Sequence, residues 1–196
     1  LVETIKGHFD RCVISKYDGL SIDHPIIFLN SIKNIIGDDK DQPSKILLNS
    51  LGQTSNQYPK REDDQEFLDQ IAKKGIGLTV FTSDLIESCA NYDYEKMEQE
   101  AARLHLVSEN GLSAFEILIE LALHDFNRLG LFTYHLHRVM NFDKEIVGTW
   151  HYTRCLIKEI VKTELPHAHE NIEIKFDIDN NIYNNQIGTL TSAHRL

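Results

Sequence analysis

The sequence predicts an α+β fold that is mainly α: a helical bundle carrying a small antiparallel β-element, a C-terminal hairpin. Three observations predict it. Between residues 94 and 164 apolar residues recur at helical spacing, with only short breaks. In "NIEIKFDID" they alternate instead, with Ile172, Ile174, Phe176 and Ile178 on one face and Glu173, Lys175 and Asp177 on the other. Pro166 divides the two textures. The expected organisation is a helical body over 1–165, with a possible N-terminal subdomain over 1–90, and a hairpin over 166–196 packed on it.

The elements follow in order. Ile5, Phe9, Cys12 and Val13 have helical spacing within residues 3–15. "DHPIIFLNSIKNIIG" has Pro25 at a first-turn position and Gly37 at its end, and "DQPSKILLNSLG" repeats that grammar with Pro43 and Gly52. Residues 53–65 are polar without an apolar period, which predicts a mobile loop. Phe67, Leu68 and Ile71 define a short helix over 66–74. "GLTVFT", residues 77–82, reads as a third strand for the hairpin or as a buried connection into a helix starting near Asp84. A further helix is predicted from Tyr94 to Leu106.

"SENGLSAFEILIELALHDFNRLG" has a capping-box spacing at Ser113 and Glu116 and a terminal Gly130. Apolar residues cover most of its circumference, which predicts the central helix of the bundle. Its one polar line is Glu116, Glu120 and His124. "LFTYHLHRVMNF" and residues 149–164 complete the helices, the last with Trp150, Leu156, Ile157, Ile160 and Val161 on its apolar face. "DNN" turns the chain into a weaker return strand, "IYNNQIGTL".

Charge and cysteine content exclude more than they select. A formal net charge of −10 argues against a protein that grips phosphate backbones, so no nucleic acid partner is expected. No apolar stretch approaches the ~18 residues of a membrane span. Cys12, Cys89 and Cys155 are scattered, with no Cys-x-x-Cys, and read as reduced, buried thiols of a cytoplasmic protein.

Candidate sites are few. His135 and His137 form a His-x-His pair, but on a helix such residues point about 200° apart and cannot share an ion. His135 falls amid Leu131, Phe132, Val139 and Phe142 and reads as a core histidine. His137, with Tyr134 and Arg138, reads as an exposed polar face that a partner could use. Glu120 and His124 are the alternative reading: an acid–base or metal site of a helical-bundle metalloenzyme. The spacing is i, i+4 rather than Glu-x-x-His, whose only literal match is the Pro-broken "ELPH". "PHAHE" is a weak loop pair, and "DIDNN" lacks the glycine and glutamate of a calcium loop. No nucleophile elbow or phosphate-cradling loop occurs. His151 and Cys155 lie one turn apart, away from the centre of their helix's apolar face. The hairpin has an edge without proline, fit for pairing with an extended peptide through Ile172, Ile174, Lys175 and Phe176.

The stretch "RLHLVSENGLSAFEILIELALHDFNRLGLFTYHLHRVMNF", followed by "WHYTRCLIKEI", resembles the accessory protein of methanobactin biosynthesis, the MbnC type. The resemblance covers about a third of the chain. It implies a non-catalytic subunit with no cofactor of its own. It also implies an iron-dependent partner enzyme of TIM-barrel type and a ribosomal precursor peptide whose leader the subunit helps to hold.

Overall fold

The computed structural model describes residues 1–77, 79–142 and 149–166. Among these residues there are nine α-helices: α1 (Val2–Val13), α2 (Pro25–Asp38), α3 (Lys45–Asn56), α4 (Asp64–Lys74), α5 (Thr82–Ala90), α6 (Tyr94–Val107), α7 (Ser113–Ala122), α8 (Phe126–Met140) and α9 (Trp150–Ile160). The mainly α body and the four consecutive helices over 94–164 agree with the sequence. The predicted hairpin lies outside the described residues.

No strand occurs among the described residues; the β-pairing there is one isolated antiparallel bridge, Ser15 to Lys60. Of the two readings of 77–82, the strand does not form where the segment is described; it is a connection into α5, mostly exposed rather than buried. Arg103 of α6 fixes it, donating through Nε and Nη2 to Ile76 O at 3.0 and 2.9 Å, and through Nη2 to Thr79 O. A guanidinium fork satisfies backbone carbonyls that a sheet would otherwise have used.

The predicted loop over 53–65 is also corrected. Helix α3 passes through Gly52 and ends at Asn56. The remainder is pinned: Lys16 N donates to Pro59 O and Arg61 N to Ile14 O, both at 2.8 Å. Arg61 itself is buried. Polarity signalled a loop correctly only for the few residues between helices. It could not reveal that Arg61 among them is buried and bonded to α4.

Two expectations for α7 fail together. No capping box forms: Leu112 occupies the N-cap, and the Ser113 hydroxyl donates to Ser108 Oγ at 3.0 Å. Asn110 Oδ1 accepts from Leu112 N instead. The helix then stops at Ala122, and a single 3₁₀ turn, Leu123–Asp125, leads into α8. Glu116 and Glu120 are exposed, while Ile117, Ile119 and Leu121 are only half-buried, so α7 is not the central helix. That place belongs to α9, which packs against α1, α4, α6, α7 and α8 and leaves only His151 and Lys158 unburied. Its carbonyl end is capped by Arg128, which donates to Glu159 O, Ile160 O and Thr163 O.

Gly130 lies inside α8 rather than at a helix end. It is there for space: a Cβ would fall 2.7 Å from Phe126 Cε2. Gly130→Ala is expected to lose about 1 kcal/mol, because overpacking outweighs the helix-propensity gain. Gly7→Ala, in α1 with nothing within 4 Å, is expected to gain up to about 1 kcal/mol. Denaturant melts of the two variants check this. Equal gains would rule out the tight contact at Gly130.

Candidate functional site

A cleft of about 740 Å³ opens between α1, α4, the α6–α7 connection and the start of α9. Its walls are mostly apolar, from Ile14, Leu68, Leu106 and Trp150. Its polar groups come from four separate elements. Asp10 projects from α1, Arg61 and Glu62 precede α4, His105 ends α6, and His151 opens α9.

Gly111 shapes one wall. It has φ +69°, and a Cβ there would lie 2.8 Å from both His105 Cε1 and Thr149 Oγ1. This lets Gly111 O accept from His105 Nδ1 at 2.9 Å and from Thr149 Oγ1 at 3.3 Å. A carbonyl can only accept, so Nδ1 carries the proton and Nε2 presents a lone pair. Burial lowers the His105 pKa, the Gly111 bond opposes this, and His151 lowers it further. The ring is thus held neutral, 5.6 Å from the Trp150 ring centroid. Across the cleft, His151 Nε2 lies 3.6 Å from Asp10 Oδ1 and has no hydrogen-bond partner among the described residues.

Beneath the cleft runs an ionic network that is buried at Arg154, Glu98 and Arg61 and reaches solvent at Asp63. Arg61 grips Asp64 through both carboxylate oxygens, at 2.8 and 3.1 Å. Arg154 donates to Glu98 Oε1 at 2.9 Å, to Asp64 Oδ1, and to Asp63 Oδ2 at 3.2 Å. Tyr94 donates to the same Glu98 oxygen at 2.6 Å. Burial would raise the Asp64 pKa, but the two guanidinium groups hold it below the ordinary range; hydrogen bonding to Arg154 lowers that of Asp63. Trp150 Nε1 donates to Asp64 O at 3.1 Å, so the cleft wall is tied to the network. A second hollow of about 590 Å³, lined by Lys16 and Lys158 among others, lies on the far side of Arg61 and Glu62.

Apart from His151, which the sequence pairs with Cys155 instead, none of these polar residues stands out as a site in the sequence. One signal was present: Arg154 stands on α9's apolar stripe between Trp150 and Ile157, where a lone arginine needs buried partners. The partners, separated by up to 91 positions, carry no local signature.

The sequence-predicted residues are placed as follows. His135 is buried and bonded through Nδ1 to Asn30 Nδ2 of α2 at 2.8 Å. His137 is half-buried rather than exposed, with Nε2 2.9 Å from Asn141 Nδ2. Tyr134 is half-buried with its ring against that of His135, and Arg138 is exposed. Lys33 joins this face, its ammonium 5.2 Å from the Phe142 ring centroid. Burial and then Arg138 lower its pKa to about 8. Glu120 sits exposed on α7 and His124 half-buried in the following 3₁₀ turn, so the line of polar residues does not continue along one helix. Among the described residues no group of three or more potential ligands converges on a metal position. Ile172, Ile174, Lys175 and Phe176 lie outside the described residues.

Cys155 is a buried thiol as expected, but it lies within the core rather than to the side of α9's apolar face. Its Sγ lies 3.9 Å from His24 Nε2, and burial raises its pKa to about 12. His24 Nδ1 accepts from Ile26 N at 3.2 Å, capping α2 and leaving the proton on Nε2, toward the thiol. All three cysteines are buried and free.

His135→Ala is expected to cost about 2 kcal/mol, from the cavity and from stranding Asn30. His137→Ala is expected to stay within about 0.5 kcal/mol. Urea unfolding of both variants checks the helix phase; equal losses would contradict it.

No helix among the described residues is long and apolar enough to cross a membrane. Compared with known protein families, curated proteins and solved structures, the chain has no match. The described residues define a helical-bundle protein with an open, apolar-walled cleft between α1, α4 and α9, and with a second such hollow of about 650 Å³ beside Leu20, Ile22 and Arg128.

Proposed function

We propose that this chain is an interaction subunit that holds an extended peptide segment in the cleft between α1, α4 and α9, while α8 faces a partner protein. The observation that carries the reading is the cleft itself. It combines apolar walls with polar side chains from four elements, and its floor is braced by an ionic network. Preformed concavity of this kind limits the ordering cost of binding to that of the peptide. The face of Lys33, Tyr134, His137 and Arg138 supports the partner contact, because its cationic groups surround half-buried aromatic surface. The resemblance to the methanobactin accessory protein supplies the finer proposal: the peptide is a ribosomal precursor, and the partner is an iron-dependent enzyme.

Trp150 is the chain's only tryptophan and lines the cleft, so it reports on occupancy. Titration with short synthetic peptides of alternating apolar and polar residues is expected to give a saturable change in its fluorescence. No response up to millimolar peptide would remove the reading. Size exclusion of the chain co-expressed with its genomic neighbours tests the partner.

A further inference from the structure

The charges around the cleft are not balanced. Its one arginine, Arg61, is engaged by both oxygens of Asp64 and has no free charge to offer a ligand. Glu62 and Glu109 line the cleft, are exposed, and make no ion pair among the described residues. Asp10 meets only His151 there, at 3.6 Å, with its side chain 48% exposed. The two imidazoles do not reverse the sign. His105 presents an acceptor through Nε2, its tautomer fixed by Gly111 O, and any proton on His151 is met by Asp10. The opening is therefore apolar on its walls, and its charged groups without a cationic partner are carboxylates.

That arrangement suits one kind of side chain. A lysine or arginine has an aliphatic stem that packs on Trp150, Ile14, Leu68 and Leu106. Its head supplies the donors that His105 Nε2 and the carboxylates require, forming charge-assisted bonds. A carboxylate-bearing ligand would meet Asp10, Glu62 and Glu109 and be repelled, and a neutral apolar one would offer His105 Nε2 no donor. Resting on the docking reading above, we infer that the anchor of the bound segment is a cationic side chain, lysine or arginine, of an extended peptide.

The test uses the full chain and four peptides of one sequence, differing at one central residue: lysine, arginine, norleucine or glutamate. Affinities are read from Trp150 fluorescence and by calorimetry. The lysine and arginine peptides are expected to bind about tenfold or more tightly than norleucine, with glutamate weakest. The preference is expected to shrink in high salt. It is also expected to collapse in the double variant Asp10→Asn, Glu109→Gln. Equal binding of lysine and norleucine peptides would overturn the cationic anchor and leave the docking reading standing. Binding by none of the four would overturn both. A preference that survives the double variant would show that these carboxylates do not read the charge, and would overturn the inference.

Discussion

Arg154→Met is expected to be among the most destabilising single changes in this protein, lowering the melting temperature by about 10 °C. Arg154 is 4% exposed and donates to Glu98, Asp64 and Asp63 at once. Methionine keeps much of the stem's packing but leaves Glu98, itself 6% exposed, as a buried carboxylate held among the described residues by Tyr94 alone. Removing one member of a buried ion pair costs about 3–5 kcal/mol, and each kilocalorie moves the transition of a domain this size by about 2–4 °C. The loss should come from the stranded charge more than from the missing attraction. Adding Glu98→Gln to Arg154→Met should therefore recover part of it, with a coupling of about 1–3 kcal/mol in the double-mutant cycle. A single-variant loss below about 1 kcal/mol would mean that the network is solvated and does not brace the cleft.

The second large effect is acid sensitivity. Burial lowers the pKa of His24 to about 3 and that of His135 to about 4, from 6.5, with lesser contributions from Lys162 and Lys33 respectively. Both rings are neutral in the folded chain, so the unfolded chain takes up protons first as the pH falls. Above pH 6.5 neither group contributes a pH dependence. Below it, each removes about 1.4 kcal/mol of stability per pH unit, until its folded-state pKa is reached. The pair together should take about 5 kcal/mol between pH 7 and pH 4.5, comparable to the whole stability of a small domain. His8, His105 and His137 are shifted in the same direction by burial, whereas the raised pKa of Glu159 acts in the opposite sense. Asp63 and Asp64, lowered from 3.8, add a separate loss only in stronger acid. Urea melts across this range give the slope directly. His135→Gln should reduce it by about one proton near pH 5.5. An unchanged slope would show that His135 is not held neutral.

The two effects have a common origin. The interior is assembled from helices whose sequences are not uniformly apolar, and its polar groups must find each other across the fold. "WHYTRCLIKEI" looks like a half-wet helix, yet it is α9, the most enclosed element. Arg154 and Glu159 can lie inside because Glu98, Asp64 and Lys162 meet them there. Conversely "SAFEILIELA" looks like the centre of the bundle, yet α7 keeps its glutamates and part of its aliphatic surface toward solvent. Hydrophobicity alone ranked these two helices in the wrong order.

Elements set by short-range physics were legible. The helical period placed α1, α2, α4, α6 and α9 to within a few residues, and it separated His135 from His137, since i and i+2 cannot share a helical face. The burial of all three cysteines was legible as well, from their lack of any pairing or ligand spacing. What only the tertiary structure decided is which distant groups meet. Asn30 reaches His135 across 105 positions, Arg154 reaches Asp63 across 91, and Asp10, Glu62, His105 and His151 line one cleft from four elements. Periodicity assigns a residue to a face of its own helix, but the packing of helices chooses the neighbour. The cleft exists only where those choices leave apolar walls and unpaired acceptors side by side.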